Sequence, residues 1–506
     1  MAAPTIESHA GVPQILFSGY PFETVLLGIS LLLVLSVVGS RFSALAGVPS
    51  LLVFLGIGML AGSEGPGGFA FTNYPLSFAL GSVALAFIIF DGGLRTRWQS
   101  VRPVLGVGVS LASLGVLATA AATALFAHYA LGLGWLSALL LGAIVSSTDA
   151  AAVFSVLRAK SLSLKGTVRQ VLEFEAGSND PAAVLLTVAV LAYATVPDTG
   201  ATSLLVLFAS QVGLGLALGV AGGMAITALI NNVGIEHEGL YSVLLFAFVI
   251  LLFGATATAG GSGFLAVYAA GLVVGNAKLL HKSSLLKFHD GIAWIAQIGL
   301  FLTLGLLVFP SHLAPLWQEG LLLALFLMLV ARPLSVLVAA PTGVFRWKER
   351  LFISWVGLRG AAPILLATLP WSVGMPDAES YFNLVFFVVL VSVLAQGTSI
   401  AWLARRLRLV EPLREEPGEG QVLPAGFVFA EIEVRPGAPA ENQRLFELRL
   451  PSGVVLTSVE RHGRYVVPSG ETRFAAHDRI RAFARPSSLE TLRETFGAAS
   501  AASGPP

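Results

Sequence analysis

Thirteen apolar stretches, separated by short polar or Gly- and Pro-containing loops, constrain the fold of this 506-residue chain more than any other feature. A helix of roughly 20 apolar residues crosses a hydrocarbon core about 30 Å thick. The composition agrees, because 55% of the residues are hydrophobic and only 12% are charged, unlike a soluble globular protein. We predict an all-α polytopic membrane region. Its spans are expected near residues 22–40, 50–62, 76–91, 103–130, 134–157, 171–195, 203–230, 240–258, 263–277, 286–309, 318–340, 348–370 and 380–404.

Lysine and arginine occur only in alternate loops of this map. Loops that stay in the cytoplasm retain positive charge, so the N-terminal residues 1–21 are predicted outside and the C-terminus inside, in the inner (plasma) membrane. No basic residue precedes the first apolar run, which argues against a cleaved signal peptide. The basic residues that define the cytoplasmic loops are Arg41, Arg95, Arg97, Arg102, Arg158, Lys160, Lys165, Arg169, Lys278, Lys282, Lys287, Arg346, Lys348, Arg350, Arg405, Arg406 and Arg408.

The two halves of the membrane region repeat. Corresponding landmarks lie 210 to 213 residues apart, and seven spans separate the members of each pair. Seven is odd, so the two six-helix halves are predicted to have opposite orientations, with the seventh span as connector. Inverted repeats of this kind are typical of secondary transporters, whose sites lie near the midplane on interrupted helices. Evenly sized spans could also give such offsets by accident.

The fifth and twelfth spans are interrupted at corresponding places, by "SSTDAA" (146–151) and "GLRGAAP" (357–363). Gly357 and Gly360 weaken the second helix, and hydroxyls such as that of Ser147 compete for backbone hydrogen bonds in the first. Such breaks persist in lipid only when protein or a water-filled cavity surrounds them. We expect two broken helices that cross beside an ion site; the alternative is a pair of kinked structural helices.

Five ionisable residues fall deep inside the predicted spans. They are Asp149, Glu175, Asp180, Arg332 and Arg359. Each costs roughly 2.5 to 3.5 kcal/mol to insert, so each needs a partner or a function. Three acids and two bases leave one carboxylate in excess, which suits a site that alternately holds one proton or one monovalent cation.

Helical geometry separates the acids of the sixth span. Glu175 and Asn179 share one face, whereas Asp180 points about 140° away from Glu175. We predict that Glu175 forms a structural ion pair with Arg332, since both lie near the cytoplasmic edge. Asp180 lies about 13 Å deep and is the predicted carrier.

Pro181 and Arg359 are predicted to shape the surroundings of the Asp180 carboxylate. Pro181 has no N–H to donate, so the carbonyl of Gly177 is left for water or an ion. Arg359 could pair with Asp180 or with Asp149. We expect Asp149, because both residues lie in the broken helices.

At these residues the chain resembles the monovalent cation:proton antiporter superfamily, in its NhaP-type and eukaryotic sodium–proton exchanger branch. The resemblance covers residues 20–408. The family's "TD" matches Thr148 and Asp149, its "E-x-x-x-N-D" matches Glu175, Asn179 and Asp180, its eleventh-span arginine matches Arg332, and its "G-L-R-G-A" matches 357–361.

The resemblance implies a fold and a mechanism. It implies thirteen spans with a dimerising domain and a six-helix core that moves as an elevator. It also implies electroneutral one-for-one exchange, with Asp180 as carrier. The expected ion- and proton-binding residues are Asp180, Asp149, Thr148, Asn179 and Ser178; the expected charge pairs involve Glu175, Arg332 and Arg359; the expected helix-break residues are Ser147, Gly177, Pro181, Gly357 and Gly360.

The cation is predicted from two further details. Ala176 stands where sodium exchangers usually carry a serine hydroxyl. The segments "STDAAAVF", "FEAGSNDPAA" and "FDGGLRTRW" are similar to bacterial potassium/proton antiporters linked to cell volume regulation. We therefore favour K⁺ over Na⁺ as the transported cation.

The C-terminal tail changes character after the membrane region (22–408). An acidic, Pro- and Gly-bearing linker is predicted at 409–424, a small α+β domain at 425–497 and a disordered end at 498–506. The segments "GFVFAEIEV", "GVVLTSVE" and "RYVVP" alternate like strands around the turn "RHG". "SSLETLRETF" predicts a helix with Ser487 and Glu490 in a capping box.

This tail domain resembles a TrkA-C module, chiefly through "VPSGETRFAAHDRIRAF", although His477 replaces the usual glycine before Asp478. It is interpreted either as a regulatory module for a small, nucleotide-type ligand or as a plain dimerisation module. The tail contains no G-x-G-x-x-G motif, so no Rossmann half is expected.

The expected partners are membrane lipid, a second copy in a homodimer and a small-molecule regulator, with no nucleic acid. No tightly bound cofactor is expected besides the transported K⁺ or Na⁺ and H⁺, and the chain is not predicted to be an enzyme. The alternative function is a ligand-gated cation channel. No "TVGYG"-type filter or acidic ring motif supports it, and no P-loop supports a pump.

Overall fold

The computed structural model describes residues 16–17, 20–46, 48–69, 71–196, 200–340, 343–412, 428–448, 450–451, 453–461 and 464–497. The chain forms two compact units, Met1–Leu413 and Arg414–Pro506. The predicted disordered end and most of the predicted linker lie outside the described residues.

The first unit is built of helices. In chain order they are α1 (Phe22–Ala46), α2 (Ser50–Ala61), α3 (Tyr74–Arg95), α4 (Trp98–Val101), α5 (Leu105–Ser110), α6 (Val116–Tyr129), α7 (Trp135–Ile144), α8 (Ala150–Ala159), α9 (Gly166–Thr195), α10 (Ala201–Asn232), α11 (Glu238–Thr258), α12 (Gly263–Asn276), α13 (Lys282–Leu306), α14 (Pro310–Leu313), α15 (Trp317–Phe326), α16 (Arg332–Ala339), α17 (Trp347–Trp355), α18 (Ala361–Leu366), α19 (Leu369–Ser372) and α20 (Ala378–Arg406). Local chemistry sets several starts: Asn73 accepts from Leu76 N at 3.0 Å at α3, and Ser262 accepts from Leu265 N at 3.3 Å at α12.

Within the described residues, eight helical stretches are long and apolar enough to cross a membrane. The chain is therefore a mostly helical polytopic membrane protein, as predicted. The eight stretches are Phe22–Ser43, Tyr74–Arg95, Trp98–Tyr129, Ala201–Asn232, Glu238–Thr258, Lys282–Leu306, Pro310–Ala339 and Ala378–Arg406. Shorter apolar helices lie at Ser50–Ala61, Trp135–Ile144, Ala150–Ala159, Gly263–Asn276 and Ala361–Ser372.

Both predicted helix breaks are present. The polypeptide leaves the helix after Ile144 and resumes it at Ala150, and it does the same after Trp355 and at Ala361. The predicted break at Gly177 and Pro181 is wrong, because α9 continues through both residues. A proline removes one backbone hydrogen bond, and surrounding protein can support the helix across that gap.

Two π-helical turns occupy corresponding positions in the fourth and eleventh predicted spans, at Leu111–Gly115 and Leu327–Ala331. Two reciprocal hydrogen bonds join these spans. Ser110 Oγ donates to Ala339 O at 2.6 Å, and Ser335 Oγ donates to Gly115 O at 2.9 Å. The two spans are thus joined by a hydrogen bond at each end of their contact.

Two buried apolar clusters organise the membrane unit. One is built mainly from α5–α9 and α15–α20. The other is built from α3 and α10–α13. Tyr268 on α12, in the second cluster, reaches Gly177 on α9, where a Cβ would stand 2.1 Å from Tyr268 Cε2. Gly177 therefore serves as a close packing point between the helices of the two clusters.

Short strands complete the membrane unit. Strands β1 (Leu16–Phe17) and β2 (Tyr20–Pro21) pair with each other, and β3 (Leu162–Leu164) pairs antiparallel with β4 (Val410–Pro412). The predicted start of the linker at 409 is therefore too early, because residues 410–412 hydrogen-bond to the loop between α8 and α9.

The second unit contains a four-stranded antiparallel sheet and one helix. Strands β5 (Val428–Glu433), β6 (Val454–Arg461), β7 (Arg464–Val466) and β8 (Arg479–Ala484) lie in the order β5-β8-β6-β7, and helix α21 spans Leu489–Phe496. Ile432, Ile480, Phe474 and Phe496 are fully buried in its core. The central strand β8 was not predicted, since its sequence "RIRAFA" alternates charged and apolar residues inside a segment noted only for its family likeness.

The predicted capping box of Ser487 and Glu490 is wrong. The N-cap of α21 is Ser488, and its side chain makes no capping hydrogen bond. His477 adopts φ 67°, the left-handed conformation that glycine takes most easily. Its neighbour Asp478 is buried and accepts two hydrogen bonds from Arg461, at 2.8 Å and 2.6 Å.

Candidate functional site

The two helix breaks meet each other inside the membrane unit. The backbone N–H of Asp149 donates to the carbonyl of Leu358 at 2.6 Å. Arg359 Nη1 donates to the carbonyls of Ser146 and Ser147, at 2.8 Å and 2.6 Å. Each break therefore satisfies backbone groups that the other leaves without helical partners, which permits non-helical backbone at this depth.

The predicted pairing of Arg359 with Asp149 is wrong. The Arg359 guanidinium binds the carbonyls of the first break instead, and its Nη2 has no hydrogen-bond partner in the described part of the chain. Asp149 acts as the N-cap of α8, where Oδ1 accepts from Ala152 N at 3.1 Å. Free carbonyls at a helix end attract a cation as a carboxylate does, so the charge of Arg359 stabilises the break itself.

Three buried side chains form a hydrogen-bonded row beside these breaks. Asn179 Nδ2 donates to Thr148 O at 2.9 Å and to Thr148 Oγ1 at 2.6 Å. Thr148 Oγ1 in turn lies 3.4 Å from Glu175 Oε1. The row joins α9 to the first break and leaves Asn179 Oδ1 buried, with no partner within the described residues.

Glu175 and Arg332 form the ion pair predicted from the sequence. Arg332 Nη1 lies 2.6 Å from Glu175 Oε1 and Nη2 lies 2.9 Å from Oε2, a bidentate geometry. Both side chains are buried. Gly357 allows this pair to fit, because a Cβ there would stand 2.7 Å from Arg332 Nε. The pair neutralises Glu175, so this acid does not contribute net charge.

Asp180 lies in different surroundings from Glu175. It is partly exposed, as is Asp149, in a region where the flanking residues Asn179 and Pro181 are buried. Within the described residues, no basic side chain forms an ion pair with Asp149 or Asp180. Each directly follows one member of the hydrogen-bonded pair Thr148 and Asn179, so Asp149 and Asp180 form a partly accessible acidic pair.

Ser178 is not brought into this group. Its hydroxyl donates to Phe174 O at 2.8 Å, one turn earlier in α9, and none of its described contacts reaches Asp149 or Asp180. A serine hydroxyl in a helix commonly bonds to the preceding turn in this way. Of the five predicted ion-site residues, the structure therefore gathers Asp149, Thr148, Asn179 and Asp180.

A polar row on α20, which was not predicted from the sequence, supports the second break. Ser392 Oγ accepts from Arg359 N at 3.1 Å and donates to Gln396 Oε1 at 2.5 Å. Gln396 Nε2 donates to Trp355 O at 2.7 Å, at the open end of α17. The signal was available, because Ser392 and Gln396 are one turn apart on one face of an apolar span.

The comparisons with known proteins agree with this architecture. Residues 29–406 match the family model described as "Sodium/hydrogen exchanger, transmembrane", and residues 429–497 match the TrkA-C domain. The chain is 42% identical over 478 residues to the K(+)/H(+) antiporter NhaP2 of Shewanella sp. (strain MR-4), covering 93% of this chain and 83% of that protein. It is 42% identical over 465 residues to the K(+)/H(+) antiporter NhaP of Alkalimonas amylolytica, covering 90% and 80%.

The sodium proton antiporter MjNhaP1 of Methanocaldococcus jannaschii, solved at pH 8, has a similar fold. Its TM-score is 0.66 at 22% sequence identity, covering 76% of this chain and 99% of that one. This likeness concerns the fold. The family match over residues 29–406 shows that the chain belongs to the transmembrane sodium/hydrogen exchanger family, a family of transporters rather than enzymes, and the match over residues 429–497 shows that it carries a TrkA-C domain.

Proposed function

We propose that the protein exchanges one monovalent cation for one proton across the inner membrane, with Asp180 as the carrier. The observation that carries this proposal is the contrast between two acids on α9. Glu175 is buried in a bidentate ion pair with Arg332, whereas Asp180 is partly exposed and has no basic partner among the described residues.

The charges around the carrier favour electroneutral exchange. Glu175 and Arg332 cancel each other. Arg359 supplies one positive charge beside the first break and balances one of the two carboxylates of Asp149 and Asp180. One negative charge remains, and either one proton or one monovalent cation neutralises it. A site that is neutral in both loaded forms avoids the cost of moving net charge through the membrane.

The cation is proposed to be K⁺, with Na⁺ as the alternative. Two relatives that are 42% identical carry the name K(+)/H(+) antiporter. In addition, Ala176 lies beside Glu175 and offers no hydroxyl, so the site lacks one ligand of the cage expected for the smaller Na⁺.

The proposed architecture is thirteen spans in two inverted six-helix repeats. The paired breaks, the paired π-helical turns and the reciprocal bonds of Ser110 and Ser335 support a repeat of opposite orientation. The seventh predicted span corresponds to α10. We further propose that the N-terminus is outside and the C-terminus in the cytoplasm, because the basic residues occur only in alternate loops, which all lie on one side of the membrane.

We propose that alternating access occurs by movement of the helices that contain and surround the two breaks, relative to α3 and α10–α13. We propose that the protein is a homodimer and that residues 425–497 regulate it by binding a small ligand or by dimerising, with 22–408 as the transport domain.

Proteoliposomes with a trapped pH-sensitive dye test the proposed exchange. An imposed K⁺ or Na⁺ gradient should drive proton movement of opposite direction, and the rate should not depend on membrane voltage. Asp180→Asn should abolish it. Asp377→Asn is a matched control, because Asp377 is exposed at the start of α20. Full exchange by Asp180→Asn, or a cation flux that follows voltage without proton movement, would contradict the proposal; the second result would favour a channel.

A further inference from the structure

The hydroxyl groups around the acidic pair have defined partners, with one exception. Ser146 Oγ donates to Ala143 O at 2.7 Å. Thr148 Oγ1 accepts from Asn179 at 2.6 Å and lies 3.4 Å from Glu175. Ser178 Oγ donates to Phe174 O at 2.8 Å. These three hydroxyls are thus used within the protein.

The Ser147 hydroxyl is the exception. Ser147 is only 1% exposed, and its Oγ has no hydrogen-bond partner among the residues that the structure describes. Its neighbour Thr148 bonds to Asn179, the residue before Asp180, at 2.6 Å, and the hydroxyl interacts with the Asp180 carboxylate without forming a normal hydrogen bond. The backbone of Ser147 is held in place, because its carbonyl accepts from Arg359 at 2.6 Å. A buried hydroxyl without a partner is unfavourable, so its persistence beside two acids indicates a partner that is present during only part of a cycle.

We propose that Ser147 Oγ is a direct, neutral ligand of the transported cation, and that it determines how well K⁺ and Na⁺ are distinguished. This inference rests on the proposed cation/proton exchange at Asp180 and adds a residue outside the ion-binding set expected from the sequence. A hydroxyl oxygen is a suitable ligand for a hard monovalent cation. Since it carries no charge, it changes affinity without changing the number of charges exchanged.

The geometry explains why the ligand comes from the first break. In the non-helical segment between α7 and α8, Ser146 still bonds to the preceding turn, but the Ser147 side chain does not. Ser178, on the regular helix α9, makes that bond instead. With Asn179 Oδ1, which is also buried and unpartnered, Ser147 Oγ supplies a second neutral oxygen beside the acidic pair.

The test compares Ser147→Ala, Ser147→Thr and the control Ser155→Ala. Ser155 lies on α8, six residues after Asp149, and its hydroxyl donates to Ala152 O. In proteoliposomes, Ser147→Ala should raise the half-saturating K⁺ concentration about 2- to 10-fold, as expected for one lost neutral ligand, and should change the K⁺/Na⁺ ratio. Ser147→Thr, which retains the hydroxyl, should restore much of the affinity, and Ser155→Ala should leave it unchanged.

A binding measurement keeps the inference testable if transport is lost. Cation binding stabilises the folded protein by mass action, so the K⁺ concentration that protects the purified variants from thermal unfolding reports affinity directly. Wild-type K⁺ protection of Ser147→Ala, or equal weakening for K⁺ and Na⁺, would overturn the inference. If Asp180→Asn is inactive in that case, the proposed exchange still stands. Coupled exchange by Asp180→Asn would instead overturn the proposed function and this inference together.

Discussion

Gly360 lies directly against the carboxyl group of Asp149. A Cβ placed on Gly360 would stand 2.3 Å from Asp149 Oδ2 and 2.6 Å from Asp149 Cβ. The two residues belong to different broken helices, so the absence of a side chain at 360 is what allows the breaks to meet. Glycine is required here by contact with another side chain, since its φ of −108° lies outside the left-handed region.

Gly360→Ala should therefore disable exchange. The new methyl group must displace Asp149 from the N-terminus of α8 or push the breaks apart, and overpacking of this kind costs about 1 to 3 kcal/mol. We expect coupled proton movement in proteoliposomes to fall about tenfold or more. Gly299→Ala is a matched control, because a Cβ there would meet nothing within 4 Å. Equal activity in both variants would show that the contact does not constrain the site.

The Glu175–Arg332 pair should behave as a structural element. Glu175→Gln or Arg332→Gln alone leaves a buried charge without its partner, which costs about 3 to 5 kcal/mol. We expect denaturant unfolding of the purified protein to show losses of this order. The double variant should recover part of the loss, because it removes both charges. If the double variant is as unstable as the sum of the two, the pair does not act as a unit.

The arrangement of the site could be predicted where charge and periodicity leave few choices. Glu175 and Arg332 are costly in lipid, and each is the other's nearest opposite charge by depth, so their pairing followed from the sequence. The breaks followed from Gly357, Gly360 and the serine-rich "SSTD". These inferences use only local chemistry and depth in the membrane.

The other features of the site could not be predicted from the sequence, because they depend on contacts between segments that are distant in the chain. Arg359 binds backbone carbonyls instead of Asp149, because the first break exposes several carbonyls at one place. The identity of the residues in the break does not reveal this arrangement of carbonyls. Gly177 faces the ring of Tyr268 instead of breaking α9. The free hydroxyl of Ser147 could be found only after the partners of its neighbours were known. Features of this kind can be identified only once the packing of the helices is known.

Gln396 should be important for the second break although it is remote from the acids. It is fully buried and bonds both to Ser392 and to the carbonyl of Trp355. Gln396→Leu would leave buried polar groups unpaired, at a cost of about 1 to 3 kcal/mol each. We expect lower thermal stability and slower exchange. Thr398→Ala on the exposed side of α20 is the control; if it is equally harmful, the effect does not arise from the row that Gln396 forms.

The C-terminal unit should lose local stability in acid. Hydrogen bonding to His477, at 3.0 Å, lowers the pKa of Glu433 below its ordinary value of 4.5, and His477, Arg479 and Arg435 add favourable charge. A carboxyl group whose pKa is lower in the folded state stabilises the fold above its unfolded pKa. That contribution disappears as pH falls from about 4.5 through the folded pKa. We expect hydrogen exchange of residues 428–434 in the full-length protein, corrected for intrinsic rates, to accelerate over this range.

Glu433→Gln should remove the acid-dependent part of this change, because glutamine does not titrate. His477→Gly should weaken it too, although glycine also relieves the left-handed backbone at φ 67°, so protection near neutral pH should change little. The acid dependence therefore separates the two roles of His477: its side chain holds Glu433 ionised, and its backbone forms the turn before Asp478. An unchanged acid response in Glu433→Gln would place the titrating group elsewhere in the unit.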